Sequence, residues 1–317
     1  MYSTNNSLKS SDNQWFLIDE SGVRYSADGT TLISVPKDIV SYQAIHGTRI
    51  IGKEAFKDSA IEEVVLPDTI TTIEHGAFAG CKSLQSINLP QSIRGIEYDA
   101  FYNCESLKEI WLPRCIDGIH DDTFRGCKSL EQVYIPSGIE FIGSGAFMDC
   151  TSLRSLLIPV MASIEAYAFS GCTALSEIHL PIISKHIEDE VLERCVSLKS
   201  VDYWYDYIPS RTFAGCTSLE FLKIRGKLEM LETDGFYYCN SLRKVEFCVA
   251  PHPEFNNFAI FFKFNKAKEI EFVIPSGTEE QFVKLFDYAK EDSRVKITTK
   301  SNCSTPQEVE LEEIAET

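Results

Sequence analysis

Cysteine is the residue type in this chain that is best placed to do chemistry, because eight of its eleven copies recur at nearly equal spacing. The steps are 23, 23, 23, 22, 23, 21 and 23 residues, in the series Cys81, Cys104, Cys127, Cys150, Cys172, Cys195, Cys216 and Cys239. Thiols at one repeat position would come close enough for disulfides. A fixed position in a repeat also favours inward packing, where cysteine behaves as a small apolar residue. We therefore expect free, buried thiols in this series.

Other motifs with catalytic or cofactor-binding potential are incomplete. The segment from Gly47 to Glu54 approaches a phosphate-binding loop, but Glu54 stands where Ser or Thr must hold Mg²⁺. There is no HExxH motif and no CxxC pair, and the six histidines occupy different repeat positions. We therefore predict no catalytic residues, no metal site and no cofactor, and we do not expect an enzyme.

An acidic residue recurs at one position in five of the repeats: Glu74, Glu97, Glu165, Glu188 and Glu232. Neighbouring carboxylates about 5 Å apart could bind Ca²⁺. The alternative interpretation is a solvated acidic face, and we favour it because runs of charge on a repeat surface need no ligand.

The residues around each cysteine define the elements that would position these groups. Around Cys104, for example, Phe101 precedes by three residues, Leu107 follows by three, and Ile110 and Leu112 continue with a period of two. Apolar alternation of this kind predicts a short half-buried strand, and the proline that often follows would end it. Repeats of about 23 residues are too short to bury their own apolar face, so they must stack. We predict a mostly-β solenoid of the α/β repeat type with a parallel sheet and little helix.

The repeated phrase IxxIxxxAFxxCxSLxxIxLP resembles the BspA-like class of leucine-rich repeats, over roughly residues 44–275 and nine to ten coils. Residues 22–36 resemble the β-hairpin entry unit of that family, and residues 273–286 resemble its closing unit. The resemblance implies a right-handed horseshoe with a concave parallel sheet. It also implies an interaction or adhesion protein without catalytic residues.

The chain divides into four parts on these patterns. We predict a disordered start with an N-terminal β-hairpin cap over 1–43 and leucine-rich repeats over 44–275. A C-terminal cap with a short helix and a strand would span 276–299, and a disordered acidic tail would span 300–317.

One row of strand residues should point out from the concave sheet. Coil by coil, the row consists of Val65, Asn88, Trp111, Tyr134, Leu157, His179, Asp202, Lys223, Glu246 and Glu271. The consecutive residues from Trp111 to His179 form an aromatic and apolar stripe, which is flanked two residues earlier by Glu109, Gln132, Ser155 and Glu177. Phe221 occupies the flanking position further along, and Trp204 should lie at the rim of the sheet.

Exposed aromatic residues on a sheet are typical anchors of an interface. The alternative is that these side chains only pack on each other across strands. We therefore expect a protein partner to bind to the following residues: Trp111, Tyr134, Leu157, His179, Glu109, Gln132, Phe221 and Trp204. The resemblance points to an extracellular host protein as that partner. Carbohydrate binding by the aromatic rings and a purely structural surface spacer remain open as alternatives.

The composition limits the other classes of partner. A net charge of −17 argues against nucleic acid, which requires clustered Lys and Arg. No apolar run is long enough for membrane insertion, and we expect a monomer.

The first 30 residues lack a basic start and an apolar segment typical of a signal peptide. The resemblance favours the cell surface or secretion, whereas a complete chain without a signal peptide would be cytoplasmic.

Overall fold

The protein is described by a computed structural model that covers residues 6–9, 15–183, 186–252, 261, 266, 269–285 and 294–300. Most of the tail predicted for residues 300–317, including Cys303, lies outside the described residues. The chain forms a mostly-β solenoid of about 11 turns with parallel sheets, which confirms the fold predicted from the repeat.

The strands are short, and nearly every turn of the repeat region contributes two. They are β1 (Asn6–Lys9), β2 (Trp15–Ile18), β3 (Arg24–Ser26), β4 (Thr31–Ser34), β5 (Ser41–Gln43), β6 (Ile50–Ile51), β7 (Glu63–Val65), β8 (Thr72–Ile73), β9 (Ser86–Ile87), β10 (Gly95–Ile96), β11 (Glu109–Trp111), β12 (Gly118–Ile119), β13 (Gln132–Tyr134), β14 (Phe141–Ile142), β15 (Ser155–Leu157), β16 (Ser163–Ile164), β17 (Glu177–His179), β18 (Ser200–Tyr203), β19 (Tyr207–Ile208), β20 (Phe221–Ile224), β21 (Met230–Leu231), β22 (Lys244–Phe247), β23 (Ile270–Pro275) and β24 (Val295–Lys300), and the helix α1 spans Glu279–Leu285.

These strands run along two sides of the solenoid. The concave sheet, as we call it, contains β5, β7, β9, β11, β13, β15, β17, β18, β20, β22, β23 and β24, and the back sheet contains β6, β8, β10, β12, β14, β16, β19 and β21. Strands that pair within each set are parallel, and they join residues one coil apart, such as Trp111 with Tyr134. Residues at one repeat position therefore form rows along the solenoid.

The phenylalanine row fills the interior. The rings of Phe56, Phe78, Phe101, Phe124, Phe147 and Phe169 are fully buried and stacked, with centroids 4.7 to 5.6 Å apart. Leu192 interrupts this row, and the stack resumes between Phe213 and Phe236 at 5.2 Å. Each coil thus buries an aromatic ring against the next, which a single coil could not do alone.

The cysteine row lies beside the phenylalanine row and is buried throughout. All eight cysteines of the row are free thiols, as the sequence analysis predicted. Each donates to a backbone carbonyl of the preceding coil, as Cys104 Sγ does to the Phe78 oxygen at 3.2 Å. Burial raises the pKa of these thiols, to about 12 for Cys127, Cys172 and Cys216.

The residue before each of these cysteines adopts a positive φ, and its type alternates along the solenoid. Asn103, Asp149, Arg194 and Tyr238 alternate with Gly80, Gly126, Gly171 and Gly215, and Asp58, which precedes Ser59 at the same repeat position, extends the alternation. A Cβ at Gly126 would lie 2.0 Å from Oδ1 of Asn103, and one at Gly80 would lie 2.1 Å from Oδ1 of Asp58. Glycine adopts this conformation without strain, and at these positions it also leaves the space that the preceding side chain occupies.

Caps cover the two ends of the repeat region. Strands β1 to β4 form an antiparallel unit, and β4 joins the back sheet through β6. Residues 6–9, which the sequence analysis assigned to a disordered start, form the first of these strands. The buried hydroxyls of Tyr25 in β3 and Tyr42 in β5 lie 2.6 Å apart. At the other end, β24 extends the concave sheet next to β23.

Candidate functional site

The aromatic stripe predicted from the sequence is formed by adjacent strands of the concave sheet. Trp111 on β11 and Tyr134 on β13 occupy paired positions, and their rings stack with centroids 3.5 Å apart and planes 14° apart. Both are solvent-exposed, at 57% for Trp111 and 39% for Tyr134. Ile110, which precedes Trp111 in β11, is fully buried, because successive residues of a strand point to opposite faces.

Leu157 and His179 continue the stripe on the next two strands. They occupy paired positions on β15 and β17, and Leu157 is 57% exposed. The stacked Trp111–Tyr134 pair and the Leu157–His179 pair therefore lie along one row. The structure thus brings together the four residues that the sequence analysis assigned to the stripe.

Polar residues of the flanking row are hydrogen-bonded to the stripe. The hydroxyl of Tyr134 donates to Oε1 of Gln132 at 2.9 Å. His179 Nε2 lies 3.2 Å from Oε1 of Glu177 in the same arrangement two coils further on. Glu109 flanks Trp111 and is exposed. The Tyr134 and His179 rings thus each have a polar partner on their own strand, whereas Glu109 is exposed to solvent.

Phe221 and Trp204 lie apart from the stripe. Phe221 pairs with Ser200 and Lys244 in the flanking row, and Lys244 Nζ lies 5.4 Å from its ring centroid. Its groove, of about 560 Å³, is also lined by Lys199, Glu220, Arg243, Glu269 and Glu271. We conclude that Phe221 belongs to a separate, charge-balanced part of the concave sheet.

Trp204 is held at the rim by an arginine that the sequence analysis did not single out. The guanidinium carbon of Arg225 lies 4.7 Å from the Trp204 ring centroid. The same guanidinium donates to Oδ2 of Asp202 from Nε at 2.8 Å and from a terminal nitrogen at 2.7 Å. Trp204 and Arg225 both stand where other coils have proline after the strand. The replacement of this proline in two consecutive coils is the sequence feature that could have pointed to the Trp204–Arg225 contact.

Charged side chains of the last coils are paired with each other. Glu246 is only 3% exposed, and its Oε1 lies 3.9 Å from Lys223 Nζ and 3.3 Å from Lys300 Nζ. Glu246 pairs with Val273, whereas Glu271 pairs with Lys244 in the flanking row. The assignment of Glu271 to the central row was therefore wrong by two residues. The cysteine that sets the register no longer recurs after Cys239 at the repeat spacing.

The acidic row of the back side binds backbone amides. Glu74 accepts from the Lys53 amide at 2.8 Å, and Glu97 accepts from the His75 amide at 2.9 Å. Glu188 accepts from the Ala166 amide in the same way, at 3.0 Å. A carboxylate of one coil thus satisfies a donor of the coil before it, which is a structural role.

The residues that the structure describes contain no group of three or more His, Cys, Asp or Glu side chains arranged to hold a metal ion. Within that same part of the chain, no helix has the length and apolar character needed to cross a membrane.

Comparisons with known proteins agree with this architecture. The family model for the BspA type leucine rich repeat region, in 6 copies, matches residues 49–161 and 158–258. The chain is similar in structure to a leucine-rich repeat protein from Bacteroides ovatus ATCC 8483, with 24% identity, 86% of this chain and 79% of that chain covered, and a TM-score of 0.61.

Two further solved structures have lower TM-scores. A leucine rich repeat protein from T. pallidum is 26% identical, with 67% of this chain and 90% of that chain covered and a TM-score of 0.48. A leucine rich cell surface protein from Faecalibacterium prausnitzii A2-165 is 18% identical, with 90% and 98% covered and a TM-score of 0.41. A search of curated proteins finds no match. From the repeat and the family model together, the chain belongs to the BspA-type leucine-rich repeat family.

Proposed function

We propose that this protein is a non-catalytic scaffold that binds a protein partner through the concave sheet, with Trp111 and Tyr134 as anchors. The observation that carries the proposal is the exposure of these two stacked rings on a parallel sheet, at 57% and 39%. Family membership supports a repeat scaffold for protein interaction or adhesion. Leu157, His179, Glu109 and Gln132 would contribute the surrounding contacts.

The concave sheet is suited to binding because it is rigid before a partner arrives. Ile110 and Leu156, which lie under the stripe, are 0% and 2% exposed and belong to the continuous core. Tyr134 is held by Gln132 and His179 by Glu177, so these side chains lose little rotamer freedom on binding. Anchors that are ordered in advance reduce the entropic cost of association.

The ring geometry favours a protein over a carbohydrate as ligand. The Trp111–Tyr134 stack covers one face of each ring, so each ring keeps only one face on which a sugar could stack. The stack also presents ring edges, the remaining open ring faces and the Tyr134 hydroxyl to a partner that lies across the sheet. Protein side chains and backbone match such mixed apolar and polar edges.

The proposal extends to adhesion, with an extracellular host protein as the partner. The concave sheet would then act as the contact surface, and Phe221 and Trp204 would extend it toward the C-terminal coils. Binding of the purified protein to a panel of immobilised host extracellular proteins tests this extension. If binding to the panel does not depend on Trp111, adhesion through this surface is ruled out.

Selection of random linear peptides displayed on phage tests the main proposal. We expect the wild-type protein to enrich peptides that the double variant Trp111→Ala, Tyr134→Ala no longer binds. Tyr98→Ala is the matched control, because Tyr98 is an aromatic residue outside the concave sheet that is 47% exposed, with its ring centroid 4.8 Å from that of His120. Melting temperatures would show that all variants fold. Equal enrichment by the double variant would place binding elsewhere.

A further inference from the structure

The indole of Trp111 has one ring face that Tyr134 leaves uncovered. Tyr134 lies on the C-terminal side of Trp111, so the other face of the indole points toward the preceding coil. That coil carries Asn88 in the central row and Ser86 in the flanking row, and both are exposed. These side chains are much shorter than an indole, and we call the surface of β9 beside the open face of Trp111 the recess.

Unpaired carboxylates border the same recess. Glu109 lies beside Trp111 in the flanking row, and Glu63 occupies the same row on the other side of Ser86. Two coils separate them, which corresponds to roughly 10 Å at the usual strand spacing. Both are exposed, and neither makes an ion pair with any residue that the structure describes.

The two outward rows of the concave sheet carry acidic residues but no Lys or Arg in this half of the solenoid. The central and flanking rows of β5 to β17 contain Glu63, Glu109 and Glu177 and no Lys or Arg. The last coils differ, because Asp202, Glu246 and Glu271 there have basic partners. A positive group on a partner would therefore find uncompensated charge only in the first half of the concave sheet.

We propose that the recess formed by Trp111, Glu109 and Asn88 binds an arginine side chain of the partner protein. This inference rests on the proposed function and names the chemistry that the concave sheet recognises. The guanidinium would stack on the open face of Trp111 and donate to the Glu109 carboxylate. The Asn88 side-chain oxygen offers a second acceptor, and Glu63 adds long-range attraction.

Arginine fits this recess better than lysine. A guanidinium is planar, stacks on aromatic faces and presents several donors in one plane, whereas an ammonium group is compact and strongly hydrated. The recess offers a flat apolar wall with a carboxylate at its edge, which matches a planar cation. The same protein already contains one example of this arrangement, in which Arg225 lies over Trp204 and pairs with Asp202.

The indole N–H signals of the three tryptophans provide a direct test by NMR. The probe is the peptide acetyl-Gly-Arg-Gly-amide, and Trp111→Phe identifies the signal of Trp111. We expect a saturable shift of that signal with a dissociation constant on the order of 1 mM, a range typical of one exposed side-chain contact. Trp15 and Trp204 report on non-specific binding in the same spectrum, because Trp204 is already covered by Arg225.

Two comparisons decide between arginine recognition and simple stacking. Replacing the arginine of the probe by citrulline keeps the planar group but removes its charge, and we expect roughly tenfold weaker binding. Glu109→Gln should weaken binding of the arginine probe by roughly three- to tenfold. The control is Glu131→Gln, because Glu131 is exposed one coil further on and lies 4.0 Å from Arg154 Nε. Equal binding of citrulline, or equal effects of the two variants, would overturn the proposal.

The peptides selected on phage separate this inference from the function on which it rests. Peptides that depend on Trp111 and carry arginine at a fixed position would support both. Stripe-dependent peptides without arginine would leave the proposed function intact and overturn the arginine site. A Trp111 signal that no probe shifts, up to tens of millimolar, would also overturn it.

Discussion

Cys127 donates a hydrogen bond from Sγ to the backbone oxygen of Phe101, 3.2 Å away in the preceding coil. The pattern recurs at each of the eight cysteines of the row, so the thiols join neighbouring coils through backbone carbonyls. The row therefore contributes a polar link as well as apolar packing.

Replacing Cys127 by alanine should lower the free energy of unfolding by about 1–2 kcal/mol, since the Phe101 oxygen loses its partner and the core loses volume. Urea unfolding measures the change. Cys115→Ala is the control, because Cys115 is an exposed free cysteine outside the row. Similar stability of the two variants would show that the thiol hydrogen bond contributes little.

The thiols of the row should resist alkylation in the folded protein. Burial raises the pKa of Cys127, Cys172 and Cys216 to about 12, so almost no thiolate forms at pH 8. We expect iodoacetamide at pH 8 to modify Cys115 rapidly and these three only after unfolding in urea. Peptide mapping by mass spectrometry measures each site. Rapid labelling of Cys127 without denaturant would contradict the burial described above.

Gly126→Ala should be strongly destabilising, and a change in the neighbouring coil should relieve it. The new Cβ would meet Oδ1 of Asn103 at 2.0 Å and would also occupy a backbone conformation with φ of 73°. We expect a loss of about 2–4 kcal/mol from the strained conformation and the clash together. Combining it with Asn103→Gly should recover part of this loss, because the clash disappears while the strain remains. Additive effects in urea unfolding would exclude the proposed contact.

Glu165 should cause the stability of the folded protein to decrease as the pH rises. Burial, and then Asp121, raise the pKa of Glu165 above its ordinary value. Because the pKa of Glu165 is higher in the folded protein than in the unfolded chain, its protonated form stabilises the fold. This stabilisation is complete below the pKa in the unfolded chain and is lost as the pH rises through the pKa in the folded protein. Glu165→Gln cannot ionise, so its melting temperature relative to wild type should increase between pH 4 and pH 7.

The control for this pH dependence is Glu140→Gln, which changes an exposed glutamate on the same side of the solenoid. Its melting temperature relative to wild type should stay nearly constant over the same pH range. A relative melting temperature of Glu165→Gln that is flat, or that falls with pH, would contradict the assigned direction.

Most of the fold could be predicted because one spacing determines it. The position of each cysteine determines which Phe points inward, where the strand lies and which residue points outward. The pairing of Trp111 with Tyr134 could therefore be predicted from the repeat spacing. The same spacing placed Glu271 in the wrong row near the end of the repeats, because the last coils contain no cysteine at the repeat position from which the register could be read. It also missed Arg225, whose role depends on Trp204 and Asp202 in the coil before it rather than on its own coil.

The function of the acidic row shows a second limit of sequence patterns. The row of Glu74, Glu97 and Glu188 has the same spacing whether carboxylates face solvent, a cation or a backbone amide. The structure distinguishes these cases because the acceptor atoms lie 2.8 to 3.0 Å from amide nitrogens of the previous coil. The periodicity of the sequence thus predicts where these carboxylates recur, but it does not predict which atoms of the neighbouring coil they contact.

The alternation of glycine with a larger residue before successive cysteines gives the solenoid a unit of two coils rather than one. Deleting the coil that carries Gly126 would bring Asn103 and Asp149 into adjacent coils, with no glycine to leave room for the Asn103 side chain. Inserting or deleting a pair of coils would preserve the alternation. Gene duplication could therefore lengthen the concave sheet most easily in steps of two, which would leave Trp111 and its neighbours in an unchanged setting.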